Sequence, residues 1–342
     1  MINTYKPDYR TTSTAMTGTV IITGANGSCA IPFVSHILTT YPTYTVLATV
    51  RKSSLSDPNT TTLSQAISCN PSHAHIEALD LSSLSNVRSF AENVAKRVSS
   101  GEIPPIKAIV CNAFTMSLKG QVFTSDGLEE TFQVNHLAHY LLVLKLLGSM
   151  ASDGRVVMLG SDAHYTDRSH PLFNIRTGIP DDVELLVKPG PDTPGQEYNH
   201  GFHRYGVSKL ANVMFMHDLT LKLQSDPKLS GITSLAMDPG GMVDSRAHRI
   251  QKPLIRIVFG MIAFMLPILK YFTDFVRSAA LSGRELAELA VDDRYEGTRG
   301  YFIGLRPNEE DVMCKDDEKR NALWNACWEW SGLTKEETVL KV

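Results

Sequence analysis

The chain has 342 residues, with Lys+Arg 33 against Asp+Glu 36 and a formal net charge of -3. Hydrophobic residues make up 43% and charged residues 20%, which is enough apolar sequence for an ordinary core and excludes disorder over most of the length. So balanced a charge argues against a protein that grips nucleic acid by neutralising phosphates, and five cysteines at wide, irregular spacing give neither a disulfide framework nor a zinc site.

Met1 to Thr17 is polar, carries Lys6, Asp8 and Arg10, and has no apolar run behind it. It reads as a flexible N-terminal tail rather than a secretory signal, and a reducing, cytoplasmic setting is expected. From there a short β-rich run alternates with a helix-like run. Thr19–Thr23, Thr45–Val50, His75–Leu79, Ile106–Val110, Arg155–Leu159 and Ile232–Met237 are continuous apolar runs, as in strands covered on both faces. Between them, Leu84, Val87, Phe90, Val94 and Val98 fall three or four apart, and Leu128–Leu147 and Tyr205–Leu223 read as helices too. The pattern predicts an α/β doubly wound Rossmann fold, a parallel sheet with helices on both faces, with ligand at the carboxyl ends of the strands.

Two segments break that rhythm within a single domain spanning 18–342. About 164–203 is rich in Pro, Gly, Asp and His and is expected to be a surface insertion. About 244–272 contains Ile257–Leu269, unbroken apolar sequence interrupted by Pro267 and expected to form a buried helix or substrate lid. It is short of the roughly 20 residues that a membrane span needs. Peripheral membrane contact through 257–269 is the alternative.

Chemistry-bearing residues sit where such a fold places ligands. The first strand runs into Thr23-Gly24-Ala25-Asn26-Gly27-Ser28-Cys29-Ala30 and then a helix-like run. A glycine-rich turn there lets backbone N–H groups and the positive end of a helix approach a pyrophosphate. The second strand ends in Arg51-Lys52, with no carboxylate until Asp57. A guanidinium at that point suits a 2′-phosphate, so NADPH is favoured over NADH. Tyr205 and Lys209 are four apart and share a helix face, where a cation can lower the pKa of a phenol.

From Thr19 to Leu333 the chain resembles the short-chain dehydrogenase/reductase superfamily, most of all its retinol-dehydrogenase and protochlorophyllide-reductase branch. TGANGSCA is similar to the family's TGxxxGxG turn, Leu79-Asp80-Leu81 to its adenine-contacting Asp segment, and Cys111-Asn112-Ala113-Phe114 stands where it has NNAG. Val134-Asn135-His136, Gly160-Ser161, Tyr205…Lys209 and Asp238-Pro239-Gly240 follow in family order. The resemblance implies that Tyr205 exchanges a proton with the substrate oxygen and that Ser161 hydrogen-bonds that oxygen. It implies that Lys209 lowers the tyrosine pKa and holds the nicotinamide ribose, and that Asn135 holds a water joining Lys209 to solvent. Gly24, Asn26, Gly27, Ser28, Cys29, Arg51, Asp80, Leu81, Asn112, Ala113 and Val243 are the further expected contacts of NADPH/NADP+.

The chain departs from the pattern at Ser28 and Ala30, which replace two glycines, at Cys111 and Phe114, and at Asp244, which replaces a frequent Thr. The expected function is reduction of a ketone or aldehyde, or oxidation of the alcohol, on a hydrophobic small molecule. TGANGSCAIP, VNHLAHYLLVL and DPGGMVDSRA are similar to filamentous-fungal reductases of secondary metabolism, which implies a polyketide or terpenoid intermediate. An NADP-binding sensor without turnover, or an isomerase or cyclase using the same tetrad, are the alternatives. No metal is expected from the scattered histidines; His136 and His139 are read as packing or capping residues. Trp324, Trp328 and Trp330 are read as core or oligomer contacts. The family implies a homodimer through the helices carrying Asn135 and Tyr205, with monomeric relatives in the same branch.

Overall fold

The structure, a computed structural model, describes residues 17–167, 176–269 and 276–341, apart from the side chains of 267–269. The expected N-terminal tail lies outside the described residues except for Thr17. In chain order, β1 (Gly18–Ile22) leads to α1 (Ala30–Thr40), β2 (Tyr44–Val50) to α2 (Pro58–Ile67), and β3 (Ala74–Ala78) to α3 (Leu84–Ser99). After β4 (Ile106–Cys111) comes one continuous helical run: a single turn α4 (Glu130–Phe132), a π segment Gln133–Leu137, and α5 (Ala138–Leu146). β5 (Met150–Leu159), the long α6 (Glu197–Ser225) and β6 (Thr233–Asp238) follow. The remainder is β7 (Gly241–Met242), α7 (Pro253–Leu269), β8 (Val276–Arg277), α8 (Ala279–Val291), β9 (Gly300–Ile303), β10 (Arg306–Asn308) and α9 (Asp317–Ser331).

The main sheet has the order β10-β9-β6-β5-β4-β1-β2-β3, parallel except for β10 against β9, while β7 and β8 pair separately. Strand order reverses between β1 and β4, which opens the crevice where α/β sheets take ligands. The central strands are mostly apolar because both faces are covered, and their polar members, such as Thr19, Lys107, Arg155 and Ser234, are themselves buried. Val87, Leu141, Leu210 and Leu323 from α3, α5, α6 and α9 fill one face. Phe33, Leu63 and Leu286 from α1, α2 and α8 fill the other.

Six strands stand within a residue or two of their expected bounds, except that β5 begins five residues earlier, at Met150. β9 and β10 were not legible, because strands of four and three residues are too short to stand out as a run. The insertion expected to reach His203 stops earlier: α6 starts at Glu197, so His200 and His203 are helical. Its part at 168–175 lies outside the described residues. The 257–269 stretch is helical, but it is not a buried helix: Phe264 is 87% and Met261 56% exposed. No helix among the described residues is long and apolar enough to cross a membrane. Trp324 is buried and stacks on Phe215 with ring centroids 5.8 Å apart, as a core residue would. Trp330 instead donates to Glu184 at 2.7 Å.

One close approach fixes the start of α1. A Cβ on Gly283 of α8 would lie 2.3 Å from the carbonyl oxygen of Cys29 and 2.9 Å from the backbone nitrogen of Phe33. Only glycine lets α8 press α1 against the sheet at that depth. Gly283→Ala should therefore push the two helices apart and cost about 1–3 kcal/mol, read as a lower urea midpoint with an unchanged m-value.

Candidate active site

The glycine turn is shaped by its neighbours. Gly24 has φ +62°, and a Cβ there would meet the Cα of Ala113 at 2.9 Å, so both conformation and space demand glycine. The Gly27 N–H donates to the Gly24 carbonyl at 2.9 Å, closing the turn. Asn26 is braced from its side chain, donating to Asp57 at 2.9 Å and Thr60 at 3.1 Å. Asp57 also caps α2 by accepting from the Asn59 N–H at 2.9 Å, so this first carboxylate after β2 is engaged in holding the turn. No side chain caps α1, and its first turn holds no carboxylate. Cys29 is buried, and burial pushes its thiol up to about 12, which makes it a packing group and not a nucleophile.

Beneath the turn lies a buried hydrogen-bond chain. The Thr23 hydroxyl accepts from the Asn112 and Ala113 N–H groups, both at 3.0 Å, and meets His139 Nε2 at 2.8 Å. His139 Nδ1 is 3.0 Å from the Asn135 carbonyl, which can only accept, so Nδ1 carries the proton. Burial holds His139 neutral, with its pKa lowered to about 4, and Thr23 therefore donates to Nε2. Asn135 in turn accepts from the Thr115 N–H at 2.7 Å and donates to the Thr115 carbonyl at 3.0 Å and Ser208 Oγ at 2.9 Å. The Ser208 hydroxyl donates to the Tyr205 carbonyl at 2.7 Å. Asn112 adds bonds from Nδ2 to the Thr23 and Gly24 carbonyls, at 2.8 and 3.2 Å.

That chain ends on the helix turn carrying the reactive side chains. Tyr205 on α6 hydrogen-bonds Ser161 at the end of β5. The Ser161 hydroxyl also donates to Asp162 at 3.2 Å. Lys209 is buried and donates to the Leu159 carbonyl at 2.9 Å, with Nζ 5.6 Å from the Tyr205 ring centroid and 5.5 Å from that of Phe114. Burial raises the Tyr205 pKa, and the Ser161 bond pulls it back part of the way. With Lys209 donating to a backbone carbonyl, the Tyr205 pKa here is set by burial, the Ser161 bond and the charges of Asp162 and Asp238. Burial lowers Lys209 to about 8, opposed by the charge of Asp238. Burial and the nearby charge of Asp162 raise Asp238 to about 6.

Turn and reactive side chains share one cavity of about 550 Å³. It is bounded by Gly24, Asn26, Gly27, Ser28, Cys29, Arg51, Asp80, Leu81, Asn112 and Ala113 at one end and by Ser161, Tyr205 and Lys209 at the other. Asn135 and Val243, both buried, are not on its wall. Asn135 supports the wall from behind, and the Val243 N–H donates to the Arg277 carbonyl at 3.2 Å while Gly240, Gly241 and Met242 face the cavity. Asp244, at the place of the family threonine, accepts from the Ala279 N–H at 2.7 Å.

Across 95% of its length the chain is 33% identical to the short-chain dehydrogenase iccH of Talaromyces variabilis, covering 98% of that protein. It belongs to the short-chain dehydrogenase/reductase family. The chloroplastic protochlorophyllide reductase of Chlamydomonas reinhardtii is 28% identical over 75% of this chain and 64% of its own length. The family model of the AcuH dehydrogenase domain matches residues 247–340. Among solved structures, the angucycline C-6 ketoreductase LanV with bound NADP superposes with TM-score 0.56 at 17% identity, covering 84% of this chain and 96% of LanV. NADPH-bound carbonyl reductase from chicken fatty liver gives TM-score 0.56 at 16% identity, over 85% and 98%. These likenesses establish the Rossmann-type fold of this family member.

Three residues of the site, Arg246, Asp162 and His139, escaped the sequence reading as site residues, and Asp238 was read only within its Asp-Pro-Gly motif. Arg246 donates from its guanidinium to the Asn26 carbonyl and the Asn59 side chain, and its N–H donates to Ser28 Oγ at 3.0 Å. It thus reaches the glycine turn from a residue more than two hundred positions away. Asp162 and Asp238 set the local charge, and His139 was read as ordinary packing. Only Asp162, next to Ser161, carried a local signal. No group of three or more His, Cys, Asp or Glu placed to hold a metal occurs among the described residues. Replacing Asn135 by Ala should strand the Thr115 N–H and carbonyl and cost about 2–3 kcal/mol, seen as a loss of unfolding free energy in urea.

Proposed function

We propose that this short-chain dehydrogenase/reductase uses NADPH to reduce a ketone or aldehyde on a hydrophobic small molecule, and catalyses the reverse oxidation. The observation that carries the reading is that Ser161, Tyr205 and Lys209 converge on the cavity whose other end is the glycine turn. The residues fit a dinucleotide. A side chain at Gly24 would fill the cradle, the first turn of α1 beside it holds no carboxylate to repel a pyrophosphate, and Arg51 borders the same end of the cavity, where it would meet a 2′-phosphate. Asp80, Leu81, Asn112 and Ala113 would flank the adenine side, and Lys209 the nicotinamide ribose. Bound there, the cofactor supplies a hydride for the carbonyl carbon, which is its own chemistry.

The chain's residues supply the proton and the charge. Tyr205, whose buried phenol keeps its proton at neutral pH, donates it to the carbonyl oxygen, so that C=O becomes CH–OH. The Ser161 hydroxyl hydrogen-bonds that oxygen as negative charge develops on it. The Lys209 ammonium stabilises the phenolate left on Tyr205. Asn135 positions this turn of α6 through Ser208. Phe114, Met116, Val134, Phe202, Met242 and Phe259 make the substrate side apolar, which supports a hydrophobic ketone such as a polyketide or terpenoid intermediate. The relatedness to a short-chain dehydrogenase of Talaromyces variabilis supports the oxidoreductase chemistry itself.

Calorimetric titration should show NADPH binding at least about tenfold tighter than NADH, a difference near 1.4 kcal/mol, and Arg51→Ala should erase most of that gap. Absence of binding by either nucleotide would overturn the reading. Tyr205→Phe should keep NADPH affinity and lose roughly 10²–10⁴ in kcat on a reducible ketone. With Lys209 at about 8, its charge is present below that pH and lost above it. The reduction rate should therefore fall as pH rises through about 8, and a rate independent of pH between 7 and 9 would remove Lys209 from this role.

A further inference from the structure

Helix α7 is apolar on two opposite sides. Inward, Ile255, Ile262 and Leu266 are half-buried, and the Phe259 ring borders the cavity and stacks on His248 with centroids 3.7 Å apart. Outward, Leu254, Ile257, Met261, Phe264 and Met265 recur every three or four residues and form one stripe. They are 72%, 59%, 56%, 87% and 48% exposed. A stripe of this length in water has an unfavourable free energy that nothing on the described surface offsets.

We propose that the stripe is an interfacial anchor that lays α7 on the surface of an anionic lipid bilayer. Charge selects this occupant. From Ser245 to Thr273 the sequence has no Asp or Glu, whereas Arg249, Lys252 and Arg256 are exposed at the start of the helix. An apolar face bordered by cations and free of carboxylates complements acidic headgroups over acyl chains. A second copy packed in parallel on the same stripe would instead bring two cationic ends together, and one packed antiparallel would leave the cations without acidic partners on that face. The helix is not long and apolar enough to span, so it lies in the interface. The same helix contributes Phe259 to the cavity, so docking brings the site's apolar end toward the phase in which a hydrophobic substrate dissolves. That last consequence rests on the proposed substrate class; the docking does not.

The test is sedimentation of the full chain with vesicles of phosphatidylcholine alone and of phosphatidylcholine mixed with phosphatidylserine, with NADPH titrated in parallel. Wild-type protein should sediment with the mixed vesicles, and less in high salt. Phe264→Asp with Met261→Asp should lower partitioning at least about tenfold, and Lys252→Glu with Arg256→Glu should abolish the preference for phosphatidylserine. Both variants should bind NADPH as wild type does, which shows that they are folded; loss of NADPH binding in every form would instead fail the reductase reading. Wild type that stays in the supernatant with both vesicles overturns the anchor. So does unchanged sedimentation of the Phe264→Asp variant, or a lipid-free dimer that this substitution dissociates.

Discussion

The site hangs on one buried chain of hydrogen bonds, from the Thr23 hydroxyl through His139 and Asn135 to Ser208. Each donor in it has an acceptor and the order is forced: a backbone carbonyl fixes the His139 tautomer, and the tautomer fixes the direction of the Thr23 proton. The chain crosses from the end of β1 to the π segment before α5 and on to α6. The π segment matters here, because its looser winding carries Asn135 between α4 and α5. A polar network satisfied throughout rigidifies what it joins, and a broken member would leave buried groups unpaired. Glycine turn and reactive side chains are thereby held in one frame, although they lie far apart in the sequence.

Burial then sets the chemistry of that frame. It disfavours charge on every group, so it raises Tyr205, lowers Lys209 and raises Asp238. Neighbouring charge corrects this in part: Asp238 supports the ammonium of Lys209, and Asp162 opposes ionisation of Asp238. The phenol remains a proton donor and not a phenolate. A cation released from the Leu159 carbonyl would be what shifts that balance.

Distant parts of the chain close around the turn. Gly283 lets α8 press on α1, Arg246 binds the backbone of Asn26, and α7 lends Phe259 to the cavity wall while exposing its other side. The segment after β6 is therefore at once a brace for the cofactor end, a wall for the substrate end and an apolar outer surface. Its hydrophobicity has two physical causes, one facing each way.

The alternation of apolar runs with helical spacing made the doubly wound sheet legible, since strands covered on both faces are predominantly apolar. Thr23–Ala30, Ser161 and Tyr205…Lys209 were legible for a similar reason: a phosphate cradle and a proton donor require particular residue types at short spacing. Only the tertiary structure could place Asn135 behind the cavity wall rather than on it, and turn Val243 away from it. It also bound Lys209 to a carbonyl, brought Arg246 to the turn and showed that α7 exposes its stripe. Each of these is a contact between elements far apart in the chain, and local pattern carries no record of which long-range partner a buried polar group will find.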